Sequence, residues 1–427
     1  MSPGLGRRQA LTVIGTTFIA GCSRSSPDNP TSTSDTTHAT TTSSNRTTKP
    51  TTPIEQTSKD VKTSKLWPQN RLNAQNTGYA DATGPTKSPL QYWEHRVSKG
   101  IRFVESPVLG EKQLFIPNIG SDEIIVLNLS DGTKKRVLDV PGQMNYSPAI
   151  VSDVLYAPSG EFVVAIDPKT GHTRWKTDLS GGAGPVTVVD STVFVGVTDG
   201  SSAVYALDTT TGKIKWRAET GLITTPPAIQ DGTVIVGDWS GFIRAFQSDD
   251  GTELWSHPVG RDDWIQAAPV ISKDTVFVCS GTHRYDHGHV YAFELKNGKE
   301  RWSKEFGTGL SRSPAIGKNN LYVAGFHGEL YAISQADGKK QWTYTPEGTD
   351  GDTATAISVD FSPITGKDTV YYTGSDQQLH AINVRTGKKR WGTKNTHGVT
   401  LGPILGGEYL FTGSTRSLFA IGPSQDK

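Results

Sequence analysis

The chain has 427 residues, and its 43 Lys and Arg against 42 Asp and Glu leave a formal net charge of +1. That balance excludes a strongly basic protein and removes the global electrostatic case for a nucleic-acid partner. With 46 Gly, 24 Pro and only 2 Cys, the composition predicts many tight turns in a protein that does not depend on disulfides.

In chain order the first element is an export device over residues 1–22. Arg7 and Arg8 precede an apolar run from Ala10 to Ala20, which ends in Ile19-Ala20-Gly21-Cys22. The arginine pair resembles a twin-arginine (Tat) signal, and the last four residues resemble a lipobox in which Cys22 is acylated and becomes the mature N-terminus. The run is too short to span a bilayer comfortably. A diacylated Cys22 anchors stably, because each buried CH₂ contributes about 0.8 kcal/mol. The expectation is an extracytoplasmic, membrane-anchored lipoprotein, at the cell surface or in the periplasm. Cys279 is then a lone thiol, expected as a small buried hydrophobe in the β-rich run 276–279.

Residues 23–65 are dominated by Thr and Ser, and their only aliphatic residues larger than Ala are Ile54 and Val61. Such a stretch cannot bury enough apolar area to offset the entropy of ordering, so a disordered linker is expected. Asn45-Arg46-Thr47 is a glycosylation sequon on that linker.

Residues 66–427 are read as one repeat domain. An eleven-residue phrase with Ala first, Gly seventh and Trp eleventh occurs at 165–175, 206–216, 245–255, 292–302, 332–342 and 381–391. A degenerate copy at 126–136 keeps Gly132 in phase but has no Trp. Taking 225–255 as one unit, turns at Asp231-Gly232, Ser240-Gly241 and Asp249-Asp250-Gly251 separate four short β-rich runs. Four strands repeated roughly every 40 residues indicate an all-β propeller built from four-stranded antiparallel blades. Gly supplies positive φ in the last turn, Ala leaves room for a large ring, and Trp packs between adjacent blades. Fourth strands fall at Trp93, Val137, Trp175, Trp216, Trp255, Trp302, Trp342 and Trp391, which predicts eight blades. After Trp391 the chain makes three strands and no fourth, whereas Trp93 has a fourth strand with no preceding three. The N-terminal strand is therefore expected to complete the last blade and close the ring. The alternative is a seven-bladed ring with Trp93 in a lead-in.

The phrase AxDxxTGxxxW, nearly complete at 165–175 and 206–216, resembles the tryptophan-docking motif of the PQQ-repeat, quinoprotein alcohol dehydrogenase-like family, over about residues 67 to 422. Trp67-Pro68-Gln69-Asn70 and Asn76-Thr77-Gly78-Tyr79 resemble the lead-in of its extracytoplasmic lipoproteins. The resemblance implies an eight-bladed fold and leaves function open, since the family holds both quinone-dependent dehydrogenases and non-enzymatic, BamB-like assembly scaffolds. Its dehydrogenases carry pyrroloquinoline quinone over the central funnel, with a divalent cation, a catalytic Asp and, in many, a disulfide between adjacent cysteines. This chain has no adjacent cysteine pair, no assignable Glu, Asn and Asp cation set, and no large loop insertions. No catalytic or cofactor-binding residue is assigned and no cofactor is expected. PQQ and Ca²⁺ enter only under the alternative of an alcohol or sugar dehydrogenase.

The blade ending at Trp302 departs most from the template. Its entry, Arg261-Asp262-Asp263-Trp264, and its turn, His283-Arg284-Tyr285-Asp286-His287-Gly288-His289, should emerge together on one face. His283, Asp286, His287 and His289 are weak candidate metal ligands. The plainer reading is a polar loop with incidental histidines. Asp262, Asp263, Trp264, Arg284 and Tyr285 form a candidate partner face, with Trp239 and His327 on equivalent turns and an acidic loop at Glu347, Asp350 and Asp352. The leading expectation is a monomeric, lipid-anchored, non-catalytic scaffold with a protein partner outside the cytoplasm or in the membrane; a glycan-binding module is a third reading.

Overall fold

The computed structural model describes residues 55–424 apart from 58, 64–65, 97–105, 261–262, 283–285, 348–361, 375, 394–398, 400 and 415–416. Arg7, Arg8, Cys22 and most of the linker lie outside the described residues, as do Arg261, Asp262, His283, Arg284 and Tyr285.

A single blade shows why the repeat folds as it does. Ala183–Val189, Thr192–Val197, Ala203–Asp208 and Ile214–Glu219 pair antiparallel in chain order. The inner strands are buried almost throughout because neighbouring blades cover both faces, and they read as continuous apolar runs. On the outer strand only Trp216 is buried. Seven such sheets follow one another in sequence, and Leu401–Gly406, Tyr409–Gly413 and Ser417–Gly422 begin an eighth. Leu90–Arg96 completes it antiparallel to Ser417–Gly422, with Trp93 opposite Ala420. The protein is thus an eight-bladed propeller closed by its N-terminal strand, which rules out the seven-bladed alternative. Glu55–Gln56 adds a fifth strand to that blade, parallel to Leu90–Gln91. Val61 is buried and donates its N–H to the Ser130 carbonyl at 2.9 Å. Glu55, Gln56 and Val61, in the stretch read as linker, are thus paired to the ring.

The three invariant letters of the phrase have separate physical causes. Ala206 lies between Phe194 on one neighbouring strand and Trp216 on the other. Its small side chain lets the two rings meet with centroids 6.0 Å apart. The same row recurs as Tyr156-Ala165-Trp175, Phe277-Ala292-Trp302 and Tyr322-Ala332-Trp342. Trp93, Trp175, Trp216, Trp255, Trp302 and Trp342 each lie over the turn glycine of the next blade. Gly251 has φ +74, and a Cβ there would sit 2.6 Å from the Trp216 ring. Positive φ and absent Cβ are both required. Each of these six indole N–H groups also donates to a carbonyl three residues before that glycine, as in Trp216 to Ser248 at 2.7 Å and Trp255 to Leu295 at 2.9 Å, whereas Trp391 donates to the Pro85 carbonyl at 2.7 Å.

The degenerate copy differs by one register position from the sequence count. Arg136, rather than Val137, lies opposite Val126 in the tryptophan's place. Its Nη1 donates to the Lys169 carbonyl of the next blade, replacing the indole N–H but not the ring.

Residues 67–84 form a hub that the repeat pattern does not encode. Backbone bonds join Trp67 to Leu109, Pro68 to Ile150, Ala74 to Ile229, Gln75 to Ile271, Thr77 to Ile316, Gly78 to Thr365 and Gly84 to Gly407. The Gln69 side chain accepts from Val188 N–H at 3.0 Å. The segment thereby touches all eight blades in order and crosses the base of the central channel.

Candidate functional site

The entry and turn of the irregular blade do meet, through a two-residue backbone bridge between Trp264 and Gly281 with N···O distances of 2.9 and 3.2 Å. The bridge places Asp263 beneath the rim, its side chain only 1% exposed. Oδ2 of Asp263 accepts from Ser280 Oγ at 2.6 Å and lies 3.0 Å from His289 Nδ1. Its Oδ1 is buried without a hydrogen-bond partner among the described residues, with His287 Nε2 at 3.8 Å. His287 Nδ1 is 3.1 Å from Asp286 Oδ1, which also accepts from Thr282 Oγ1 at 2.8 Å. The Thr282 hydroxyl is the main reason the Asp286 carboxyl is held below its ordinary pKa.

Of the candidate ligands, Asp286, His287 and His289 share this rim while His283 lies outside the described residues. Among the described residues no group of three or more His, Cys, Asp or Glu is arranged to hold a metal ion. Asp263 works as the anchor of the rim. Asp263→Ala will strand the Ser280 and His289 donors and cost about 1–3 kcal/mol, measured as a lower midpoint of chemical denaturation; an unchanged midpoint would remove the anchoring role.

Trp264, which follows Asp263, stacks on Trp239 with centroids 5.4 Å apart and planes 13° from parallel. Both rings are partly exposed, and Trp239 Nε1 donates to Thr224 Oγ1 at 3.0 Å. Sequence reasoning placed Trp239 on the same face but missed both the stack and its support. Asp238 is fully buried; its Oδ1 accepts from the Ser240 and Phe242 N–H groups at 2.9 and 3.2 Å, and its Oδ2 from Arg244 Nε at 3.0 Å. The signal was available in Asp238-Trp239-Ser240-Gly241, where an Asp two residues before a Ser folds its carboxylate onto the backbone of its own turn.

The second concavity is the central funnel, about 360 Å³. Residues just before or within the innermost strands of all eight blades wall it, and Trp67, Asn70 and Arg71 of the hub lie at its base. Arg71 Nη1 donates to the Pro363 carbonyl at 2.8 Å and Nη2 to the Pro314 carbonyl at 2.5 Å. The guanidinium rests on Gly78, where a Cβ would be 2.4 Å from Nη2. Burial lowers its pKa to about 9, so it is still charged at neutral pH. Arg312 also lines the funnel, and no Asp or Glu does so among the described residues. The described lining therefore presents no carboxylate of the kind that a divalent cation favours.

Cys279 is buried, and burial raises its thiol to about 12, consistent with a packing role.

A family model described as outer membrane protein assembly factor BamB matches residues 86–182, 159–264 and 239–417. The chain is similar to the outer membrane protein assembly factor BamB of Xanthomonas campestris pv. campestris, with 29% identity over 103 residues, 21% of this chain and 24% of that protein. It spans less than a quarter of the length of the curated relatives it matches. Among solved structures, BamB from Moraxella catarrhalis superposes with a TM-score of 0.64 at 16% identity, covering 78% of this chain and 99% of that one. A europium-containing methanol dehydrogenase superposes with a TM-score of 0.67 at 13% identity, covering 84% and 98%. At these identities the superpositions establish the fold alone.

Proposed function

Because the chain belongs to the outer membrane protein assembly factor BamB family, we propose that it is a lipid-anchored extracytoplasmic propeller that binds a protein partner without catalysing a reaction. The observation that carries this reading is the Trp239–Trp264 stack, two partly exposed rings held on one rim by the buried carboxylates of Asp238 and Asp263. Rigid, half-exposed aromatics on anchored loops lose little conformational entropy on binding and are common interface hot spots. Asp262, Arg284 and Tyr285, which lie outside the described residues, are included in the proposed contact face on the sequence reading alone. The lipobox-like residues ending at Cys22, with Arg7 and Arg8, support export and anchoring at the membrane surface.

The test is chemical cross-linking in intact membranes followed by affinity isolation. The full chain is expected to enrich a specific protein. Trp239→Ala with Trp264→Ala should reduce that enrichment about tenfold or more without moving the denaturation midpoint by more than a small fraction, and Cys22→Ser should shift the protein to the soluble fraction. Equal enrichment by the double variant would overturn the assignment of the face, and no enrichment by the full chain would overturn the scaffold reading. The dehydrogenase alternative rests on the family's other branch; dye reduction after reconstitution with pyrroloquinoline quinone and Ca²⁺ would establish it in place of the scaffold.

A further inference from the structure

The net charge of +1 hides a separation of charge between the two faces of the ring. In each blade the turn between the first and second strands and the turn between the third and fourth emerge together on the face that carries the hub. Backbone bonds join these two turns within a blade: Leu295 N–H to the Asp274 carbonyl, Gln335 N–H to Asn319 and Val384 N–H to Asp368. The hub's own bonds to Ile271 and Ile316 fall two residues before Lys273 and Lys318. On this base face the fifth to seventh blades present Lys273, Lys296, Lys299, Lys318, Arg385 and Lys388, all exposed and none in an ion pair among the described residues. The carboxylates beside them are engaged elsewhere: Asp274 and Glu294 with Arg301, Asp337 with Lys339 and Asp368 with Arg390, while Glu300 accepts from Ser303 Oγ. The rim is the reverse. Each of the first three blades places one exposed carboxylate on its rim turn and one at the end of its outer strand: Asp122 and Asp139, Glu161 and Asp178, Asp199 and Glu219.

The chain also joins the ring on the base face. Glu55 pairs with Leu90, which lies opposite Gly422 at the base end of the closing blade, and Val61 bonds Ser130 in a base turn of the first blade. We propose that the base of the fifth to seventh blades rests on a bilayer surface carrying anionic phospholipid headgroups, which turns the rim with Trp239 and Trp264 away from the membrane and toward its partner. The proposal rests on membrane anchoring through Cys22. A lipid anchor holds the ring near the bilayer without orienting it, and the basic arc supplies the orientation. Each Lys or Arg close to an anionic surface strengthens the attachment about fivefold. Asp231, Asp249 and Asp250, exposed on the base of the fourth blade, are repelled by the same surface, so the ring tilts onto the basic sector rather than lying flat.

The test reconstitutes the full chain, purified from membranes, with vesicles of phosphatidylcholine alone and of phosphatidylcholine mixed with phosphatidylglycerol. The vesicles are floated, and lysine acylation by a membrane-impermeant reagent is read by mass spectrometry. Lys273, Lys296, Lys299 and Lys318 are expected to react about tenfold more slowly on the anionic vesicles than on the neutral ones. Lys176 and Lys304, toward the rim, should react equally on both. Salt at about 0.5 M shortens the screening length to about 4 Å and should abolish the difference. Lys296→Glu with Lys388→Glu, both on exposed turns, should remove the protection of Lys273 and Lys318 and leave the denaturation midpoint unchanged. Flotation with the anionic vesicles only, with the base lysines protected, would keep the docking surface and sink the Cys22 anchor. Flotation with both kinds and equal reactivity on both would keep the anchor and overturn the docking surface. Protection spread evenly over rim and base, or protection that survives the double variant, would overturn it as well. Dissolved polyphosphate is the last arm: protection by it and none by anionic vesicles would assign the arc to a polyanionic chain instead of a bilayer.

Discussion

Replacing Trp216 by alanine will lower the unfolding free energy by about 3–5 kcal/mol, measured from the shift of the urea denaturation midpoint. Trp216 is buried at the boundary between two blades and has three separate attachments there. Its ring faces Ala206 across the hairpin and meets Phe194 beyond it. Its other face covers Gly251 of the following blade, and its Nε1 donates to the Ser248 carbonyl at 2.7 Å. Truncation removes the ring and leaves that carbonyl without its donor. The strands on either side are paired within their own blades and can collapse into the gap only by shifting whole sheets, so a cavity remains. Trp216→Phe separates the contributions, since it keeps most of the ring and loses the N–H; it should cost about 1 kcal/mol beyond its packing defect. Arg136 provides the internal contrast, because it keeps a side-chain hydrogen bond to the next blade without an aromatic ring. An alanine variant at 216 within about 1 kcal/mol of the parent would mean that the blades are held by strand pairing alone.

How much of this was legible in the sequence follows from what each contact demands of a side chain. Ala206, Gly212 and Trp216 were readable because each contact accepts almost no other residue: a small side chain between two rings, a positive φ under an indole, an N–H at the far end of a large ring. Ring closure was readable by counting, because a blade with three strands and a strand with no blade must find each other. The hub at 67–84 was not readable as a hub. Most of its links to the blades are backbone carbonyls and N–H groups, which any residue supplies, so its sequence shows little trace of the job. Arg71 looks like any solvated arginine in a polar lead-in until topology closes the channel around it. At the irregular blade the meeting of entry and turn was legible from propeller connectivity. That Asp263 lay underneath was not, because nothing in the sequence marks it for burial and only the Trp264–Gly281 bridge places it there.

A chain starting at residue 97 will not form a soluble closed ring. One starting at residue 50 will fold and unfold as the parent's ring does, because it keeps Glu55–Gln56, the hub and the closing strand. The shorter chain loses the pairing of Leu90–Arg96 with Ser417–Gly422. It also loses the Trp93 contact to Gly132, with its N–H bond to the Leu129 carbonyl at 2.9 Å, and every hub bond to the eight blades. It leaves Ser417–Gly422 as a bare edge whose unpaired N–H and C=O groups invite another chain. The combined loss exceeds the roughly 5–15 kcal/mol by which most folded proteins are stable, so the expected result is aggregation on size-exclusion chromatography and no cooperative unfolding transition. A third chain starting at residue 86 keeps the closing strand but not the hub, and it tells the two contributions apart. If it is monomeric and unfolds cooperatively at a lower midpoint, closure alone makes the ring and the hub stabilises it. If it fails as the shortest chain does, the hub is the template on which the eight blades assemble. A soluble, cooperative monomer from residue 97 would overturn both accounts, because seven blades and three strands would then hold their curvature with an open seam.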